Sequence, residues 1–119
     1  MKRHNFKKLQ IWKDSMELIN HTYLFTGTFP DFEKFGLRTQ MNRCAISIAS
    51  NISEGSSKRT DKHFTKYLED SLGSAFEWET QLIVAYHQKY ISEELFKKSE
   101  KDINTLQMKI SSFIDSLNK

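Results

Sequence analysis

Apolar residues recur at spacings of three and four along most of this chain, a pattern that predicts helices and no half-buried strand. The first predicted helix ends at Gly27 and Pro30, and its apolar stripe consists of Leu9, Trp12, Met16, Ile19 and Tyr23. The second helix runs from about Leu37 to Glu54, before Gly55. Its stripe consists of Leu37, Met41, Cys44, Ile48 and Ile52.

Two further helices follow in the second half of the chain. The third begins after the N-cap residue Thr60 and reaches about Lys89. Its stripe consists of Phe64, Leu68, Ala75, Trp78, Leu82 and Tyr86. Ser92 caps the fourth, whose stripe consists of Ile103, Leu106, Ile110, Phe113 and Leu117. Short loops make consecutive helices antiparallel neighbours, so the predicted fold is all-α, an antiparallel up-down four-helix bundle formed by one domain over residues 1–119.

The second helix lacks the broad charged face of an ordinary surface helix, because only Arg38, Arg43 and Glu54 are charged. A polar stripe lies beside its apolar one and consists of Gln40, Arg43, Ser47, Asn51 and Glu54. We therefore predict that this helix is central and contacts both its own chain and a neighbouring subunit. The stripe would form a buried polar network in which Arg43 pairs with Glu54 or with Glu77 of the third helix.

The third helix carries a second apolar strip, made of Leu72, Phe76 and Ile83, beside its main one. Either the monomer has an unusually wide core, or part of this arc packs in an assembly. Gly73 interrupts the same helix and costs roughly 1 kcal/mol relative to Ala. A close helix–helix contact at Gly73 would account for it.

Composition fits a small globular protein with a mildly basic surface. The 119 residues carry a net charge of +3, and their single cysteine, Cys44, cannot form an internal disulfide, which favours a cytoplasmic setting. No apolar segment follows the basic start of the chain as in a signal peptide, and no apolar run is long enough to span a membrane.

The positive charge is concentrated in two clusters. They consist of Lys2, Arg3, Lys7, Lys8 and Lys13 near the start, and of Lys58, Arg59 and Lys62 (with Lys66) between the second and third helices. One interpretation is a solvated arm and a basic loop; the other is a face that binds nucleic acid.

Enzymatic chemistry has no recognisable signature in the chain. There is no Gly-rich phosphate loop, no nucleophile elbow, no paired Glu-x-x-His motif and no zinc constellation. The four histidines lack metal-ligand spacing, and Cys44 lies in an apolar run that suits a core thiol. We expect no catalytic residue, no metal, no cofactor and no small-molecule substrate.

The segment Phe29–Gly55 resembles the signature of the bacterial rRNA intervening-sequence proteins, a family of four-helix-bundle proteins. The matching residues are Phe29, Pro30, Glu33, Phe35, Gly36, Leu37, Gln40, Arg43, Ala45, Ser47, Ile48, Asn51, Ile52, Glu54 and Gly55. Further matches are Phe6, Leu9, Trp12, Phe64, Leu68, Gly73, Ser74 and Glu77. Cys44 and Ser53 depart from the family, which usually has Ala at both positions.

The resemblance implies a ring-shaped homo-pentamer without enzymatic activity. The similar accessory proteins of diversity-generating retroelements are basic pentamers that bind nucleic acid and a reverse transcriptase. Our first hypothesis is therefore an oligomer that binds RNA or DNA backbones through the two basic clusters. The alternative is a structural or adaptor assembly that binds another protein and no nucleic acid.

Overall fold

Four long helices form an antiparallel up-down bundle in the computed structural model, which describes residues 3–119. Their bounds are α1 Gln10–Thr26, α2 Leu37–Ser56, α3 Asp61–His87 and α4 Glu93–Leu117. Two short 3-10 turns, Phe6–Lys8 and Asp31–Glu33, precede α1 and α2, and the described residues contain no strand. The predicted fold class is confirmed.

Local signals set the helix starts as predicted. The Thr60 hydroxyl accepts a hydrogen bond from the His63 amide at 3.2 Å, and the Ser92 hydroxyl accepts one from the Leu95 amide at 3.1 Å. The α3 helix ends at His87, just before Lys89, which adopts a left-handed conformation with φ of 65°. The expected end near Lys89 is therefore accurate to two residues.

The core follows the predicted stripes of α2, α3 and α4. The central members of each stripe are buried, and they include Met41, Ile48, Ile52, Leu68, Trp78, Leu82, Ile103 and Ile110. At the ends of the stripes, Leu37, Tyr86, Phe113 and Leu117 are only half-buried but still pack against the core. Spacing of apolar residues therefore identified the buried faces of three helices.

The predicted stripe of α1 was partly wrong. Leu9, Trp12 and Ile19 are half-buried and pack against the core, but Met16 and Tyr23 are exposed. The fully buried face of α1 consists of Ile11, Ser15, Leu18, Thr22, Phe25 and Thr26. Ser15 and Thr22 donate their hydroxyls to the carbonyls four residues earlier, at 2.7 and 2.6 Å. Once these hydroxyls are satisfied within the helix, the small side chains can be buried in place of larger apolar ones.

The helices α2 and α3 approach each other closely at Gly55. A Cβ atom at this position would lie 2.7 Å from Cβ of Tyr67 and 2.9 Å from Cδ1 of Phe64. The sequence had suggested that α2 ends before Gly55, but Gly55 lies inside the helix. Gly73 of α3 shows the opposite situation, because nothing lies within 4 Å of a Cβ built there. The close contact expected at Gly73 is not formed within the protomer.

The helices α1 and α4 approach each other at only a few points, and a cleft of about 500 Å³ opens between them. Its wall includes His21, whose Nε2 forms a 3.1 Å hydrogen bond with the hydroxyl of the buried Ser99. Burial lowers the pKa of His21, and the nearby Lys98 lowers it further, while Asp102 acts in the opposite direction. The fold therefore favours the neutral imidazole.

We predict that Gly55→Ala destabilises the protein by about 1–3 kcal/mol, because the new methyl group has no room beside Tyr67 and Phe64. Urea denaturation followed by circular dichroism measures the change. The matched control, Gly73→Ala, adds a methyl group in open space on an exposed helix position and should stabilise by about 0.5–1 kcal/mol. Equal effects of the two substitutions would contradict this account of the α2–α3 contact.

His21 also predicts a dependence of stability on pH. The pKa of His21 is lower in the folded than in the unfolded chain. As the pH falls below about 6.5, the unfolded chain therefore binds more protons than the folded chain, and the folded state loses stability. We expect the melting temperature to fall between about pH 8 and pH 5.5, and to fall less in His21→Gln, which keeps a hydrogen-bonding group beside Ser99 but does not titrate. Identical pH profiles for the two proteins would exclude His21 as the source.

Candidate nucleic-acid interface and the polar face of α2

The N-terminal arm lies against the turn between α2 and α3. Nε of Arg3 donates a hydrogen bond to the carbonyl oxygen of Ser57 at 2.7 Å. The ring of His4 packs on Phe64 with 5.0 Å between centroids, and its Nε2 lies 3.7 Å from a carboxylate oxygen of Asp61. The hydrogen bond joins residues 54 positions apart, and these contacts bring the two basic clusters to the same end of the bundle.

The first cluster is presented by the 3-10 turn Phe6–Lys8. The Asn5 side chain accepts a hydrogen bond from the Lys7 amide at 3.2 Å, and the Phe6 ring packs edge-on against Trp12 at 5.1 Å. Anchoring on one side leaves the Lys7 and Lys8 side chains exposed on the other. Lys13 is also exposed, on the first turns of α1, whereas Lys2 lies outside the described residues.

The second cluster lies on the turn itself and on the start of α3. The ammonium group of Lys58 lies 5.0 Å from the centroid of the Tyr67 ring, while Arg59 and Lys62 are exposed. Asp61 interrupts this cluster but faces His4. We call the combined surface the basic end; it consists of Arg3, Lys7, Lys8, Lys58, Arg59 and Lys62.

The cations of the basic end are available to an external anion. Within residues 3–119, neither they nor Lys13 form a salt bridge; the four salt bridges that occur involve His4, Lys97, Lys98 and Lys109. Exposed lysine and arginine side chains bind phosphate oxygens without reading bases, since base recognition requires groups placed against base edges. The arrangement therefore suits a phosphate backbone of any sequence.

Part of the predicted polar stripe of α2 forms hydrogen bonds at the boundary with α3. The hydroxyls of Ser47 and Ser74 lie 3.0 Å apart, and Nδ2 of Asn51 donates to the carbonyl and hydroxyl oxygens of Ser47 at 2.9 and 3.1 Å. Deeper in the same contact, the Ser71 hydroxyl donates to the carbonyl of Ile48 at 2.7 Å. Sequence reasoning missed Ser71 and did not assign Ser74 to the network, because their roles depend on the register between the two helices.

Cys44 belongs to this boundary as an inert thiol. Its Sγ donates to the carbonyl of Ser74 at 3.1 Å and to a carboxylate oxygen of Glu77 at 3.2 Å. Burial raises the pKa of the Cys44 thiol to about 12, and the hydrogen bond to Glu77 contributes to the shift. A thiol with this pKa is a poor nucleophile at neutral pH.

The charged members of the predicted network are not buried within one protomer. Gln40, Arg43, Glu54 and Glu77 are all exposed, and Arg43 forms no salt bridge among the described residues. The expected pairing of Arg43 with Glu54 or Glu77 inside the chain is therefore absent. This flank of α2 faces solvent in the protomer, which leaves its burial by a neighbouring subunit as a prediction.

An exposed aromatic loop at the opposite end of the bundle was not anticipated. Phe32 and Phe35 are 78% and 87% exposed on the segment between α1 and α2. Glu33 holds this loop, because its carboxylate accepts hydrogen bonds from the Leu37 amide at 3.0 Å and the Tyr90 hydroxyl at 2.8 Å. The available signal was the density of aromatic residues between Phe29 and Gly36, a segment without helical spacing.

The described residues present neither a metal-binding cluster nor a membrane-spanning helix. Over residues 3–119, no three His, Cys, Asp or Glu side chains are grouped in a way that could hold a metal ion. The described helices also include none with the length and apolar character needed to cross a membrane.

Comparisons with known proteins place the chain in a family. The sequence model of the 23S rRNA-intervening sequence proteins matches residues 7–112. A solved structure from Bacteroides thetaiotaomicron, a protein of unknown function from the S23 ribosomal protein family, is similar with a TM-score of 0.81 and 23% identity, over 88% of this chain and 95% of that chain. At that identity the structural likeness establishes a shared fold alone. No curated protein matches the chain significantly.

The family match extends from the 3-10 turn that precedes α1 to the last turns of α4, so it includes all four helices and the turn that carries the second basic cluster. Neither the family description nor that of the structural neighbour indicates an enzyme. The chain belongs to the 23S rRNA-intervening sequence protein family.

Proposed function

We propose that this protein is a non-enzymatic homo-oligomer that binds RNA or DNA backbones through the basic end. The observation that carries the proposal is the convergence of two separate basic clusters, fixed by the hydrogen bond from Arg3 to Ser57, on a surface whose cations form no internal salt bridge among residues 3–119. Such a surface binds phosphates by charge and releases their counterions.

Self-association is supported by apolar side chains that the protomer leaves exposed. Met16 and Tyr23 on α1 and Ile46 on α2 are each at least one third exposed, and the neighbouring α2 flank carries small side chains such as Ser50. An oligomer would cover this surface and could supply the acidic partner that Arg43 lacks within the chain. We take the number of subunits, five, from the family resemblance.

Assembly would also strengthen the electrostatic attraction. One chain has a net charge of +3, so five copies carry five times that value, +15. A ring that places the basic ends on one face would concentrate the charge and attract a polyanion more strongly than a single protomer does. The buried, unpaired Cys44 thiol is compatible with the reducing cytoplasm.

A structural or adaptor assembly is the second candidate, and the aromatic loop favours it. Phe32 and Phe35 are large, exposed and held in place by Glu33, which are properties of an anchor for another protein. One measurement distinguishes the two candidate functions. A nucleic-acid-binding oligomer binds RNA or DNA at low salt, whereas a purely structural or adaptor assembly does not.

We predict that a fluorescently labelled RNA or DNA binds at about 50 mM salt and loses about a hundredfold in affinity by 200 mM, if about four phosphates are contacted. Arg59→Ala and Lys62→Ala should each weaken binding at low salt and reduce the slope of log K against log salt by about one. Fluorescence anisotropy at several salt concentrations measures both quantities.

Lys34→Ala is the matched control, since it removes the same charge from an exposed residue at the opposite end of the bundle. It should leave the salt slope unchanged. If wild-type protein shows no binding at low salt, the nucleic-acid proposal is wrong and the adaptor remains. If Lys34→Ala and Arg59→Ala weaken binding equally, the basic end is not the site.

We predict an assembly of about 70 kDa by light scattering, five times the 14.1 kDa of one chain. Ile46→Glu should lower this mass, because it places a charge on the apolar surface of α2 without disturbing the protomer core. Arg43→Ala should lower the melting temperature of the assembly by stranding an acidic partner in the subunit interface.

Met108→Glu is the control for assembly, since this exposed α4 residue lies away from the α2 flank. It should keep the wild-type mass. A wild-type mass of 14.1 kDa would refute self-association. Unchanged mass and melting temperature in Arg43→Ala would refute the polar network.

A further inference from the structure

The side of the bundle between α1 and α4 contains a second, apolar groove. It has a volume of about 720 Å³ and lies between the start of α1 and the C-terminal half of α4. Its apolar lining consists of Leu9, Ile11, Met108 and Phe113. The remaining lining is neutral polar apart from two lysines, Lys8 and Lys109. This groove exists because α1 and α4, unlike the other neighbouring helices, approach each other at only a few points.

The apolar surface of the groove is more exposed than the folding of the protomer requires. Met108 is 70% exposed, although most other exposed residues of α4 are polar. Leu9 and Phe113 are only half-buried. One exposed and two half-buried apolar side chains grouped beside a groove form a surface that another molecule can cover. Methionine suits such a surface because its flexible thioether adapts to different partner side chains.

The charged residues at the groove indicate which charge a partner should carry. Among the described residues that line it, two are charged, Lys8 and Lys109, and none is a carboxylate. The ammonium group of Lys109 forms a salt bridge with Asp14 of the adjoining cleft at 3.0 Å. Lys8 forms no salt bridge among the described residues. Lys7, which precedes Lys8 in the chain, is also exposed. A partner with apolar anchors and flanking carboxylates is complementary to this pattern.

The aromatic residue of the groove argues against single-stranded nucleic acid as the occupant. The Phe113 ring forms edge-to-face contacts with Phe64 and His4, with centroids 5.6 and 6.0 Å apart, so it already belongs to an aromatic cluster within the protomer. Base stacking requires a free aromatic face. The other apolar side chains, Leu9, Ile11 and Met108, cannot supply one.

Shape favours a helix over an extended chain. The groove runs along two roughly antiparallel helices and offers no free strand edge, since α1 and α4 satisfy their own backbone hydrogen bonds. A further helix of about 10 Å diameter can lie along it and place residues at spacings of three, four and seven on the apolar floor. A second copy of this chain, with its net charge of +3, is a poorer electrostatic match than an acidic segment.

We propose that the groove between α1 and α4 binds an acidic amphipathic helix of another protein, with its apolar residues on Leu9, Met108 and Phe113 and its carboxylates near Lys8 and Lys109. This site is separate from the proposed contacts of nucleic acid, except that Lys8 belongs to both. The protein would thereby recruit a protein partner beside the basic end.

A displayed library of helical peptides, randomised on all faces and selected on the full-length protein, tests the proposal. The selected peptides should be amphipathic and acidic. Met108→Glu should weaken their binding at least about tenfold, because it places a carboxylate on the apolar floor opposite the acidic peptide. Lys8→Glu should also weaken binding, and the effect should shrink at high salt.

Leu24→Glu is the matched control, since Leu24 is 76% exposed, similar in size to Met108 and lies outside the groove near the end of α1. It should leave peptide affinity unchanged. Circular dichroism verifies that both variants retain the helical fold, as expected for exposed positions.

Three results would overturn the proposal. The first is a selection that yields no binder, or binders that keep their affinity for Met108→Glu. The second is a lower assembly mass for Met108→Glu, which would make the groove a contact between copies of the chain. The third is loss of nucleic-acid binding in Met108→Glu with no peptide bound. Nucleic-acid binding by the wild type can fail separately without affecting the peptide result.

Discussion

The close contact between α2 and α3 is the constraint on which the rest of the bundle depends. Gly55 permits it, because any side chain there would meet Phe64 and Tyr67. The Ser71 hydroxyl reaches across the same contact to the Ile48 carbonyl at 2.7 Å. With the two backbones this close, the turn between them is positioned to receive the N-terminal arm, and Trp78 reaches Thr22 of α1 at 3.2 Å. Core packing and the placement of the basic end thus share one origin.

Different parts of the structure could be predicted from the sequence to different degrees. The buried faces of α2, α3 and α4 followed from apolar spacing, since large apolar residues dominate them. The face of α1 did not, because Ser15 and Thr22 satisfy their hydroxyls within the helix and are buried in place of Met16 and Tyr23. A binary pattern of apolar and polar residues treats such hydroxyl side chains as surface residues.

The candidate site was predictable only as two separate clusters. The density of positive charge identified both clusters, which include Lys7, Lys8, Arg59 and Lys62. The sequence within each cluster does not indicate that the two lie side by side in the folded chain. Their meeting depends on the tertiary hydrogen bond from Arg3 to Ser57. For Arg43 the sequence suggested too much burial: it predicted a buried ion pair, but the residue is exposed in the protomer.

The sparse contact between α1 and α4 gives the bundle a seam. The last helix packs along α3 but touches α1 mainly through side chains, such as Lys109 with Asp14 and His21 with Ser99. A helix attached chiefly to one neighbour can detach as a unit at less free energy than global unfolding requires. Slow amide exchange should therefore concentrate in α2 and α3, while α4 exchanges through partial opening. A molecule that bridges the seam would restrain this motion from outside.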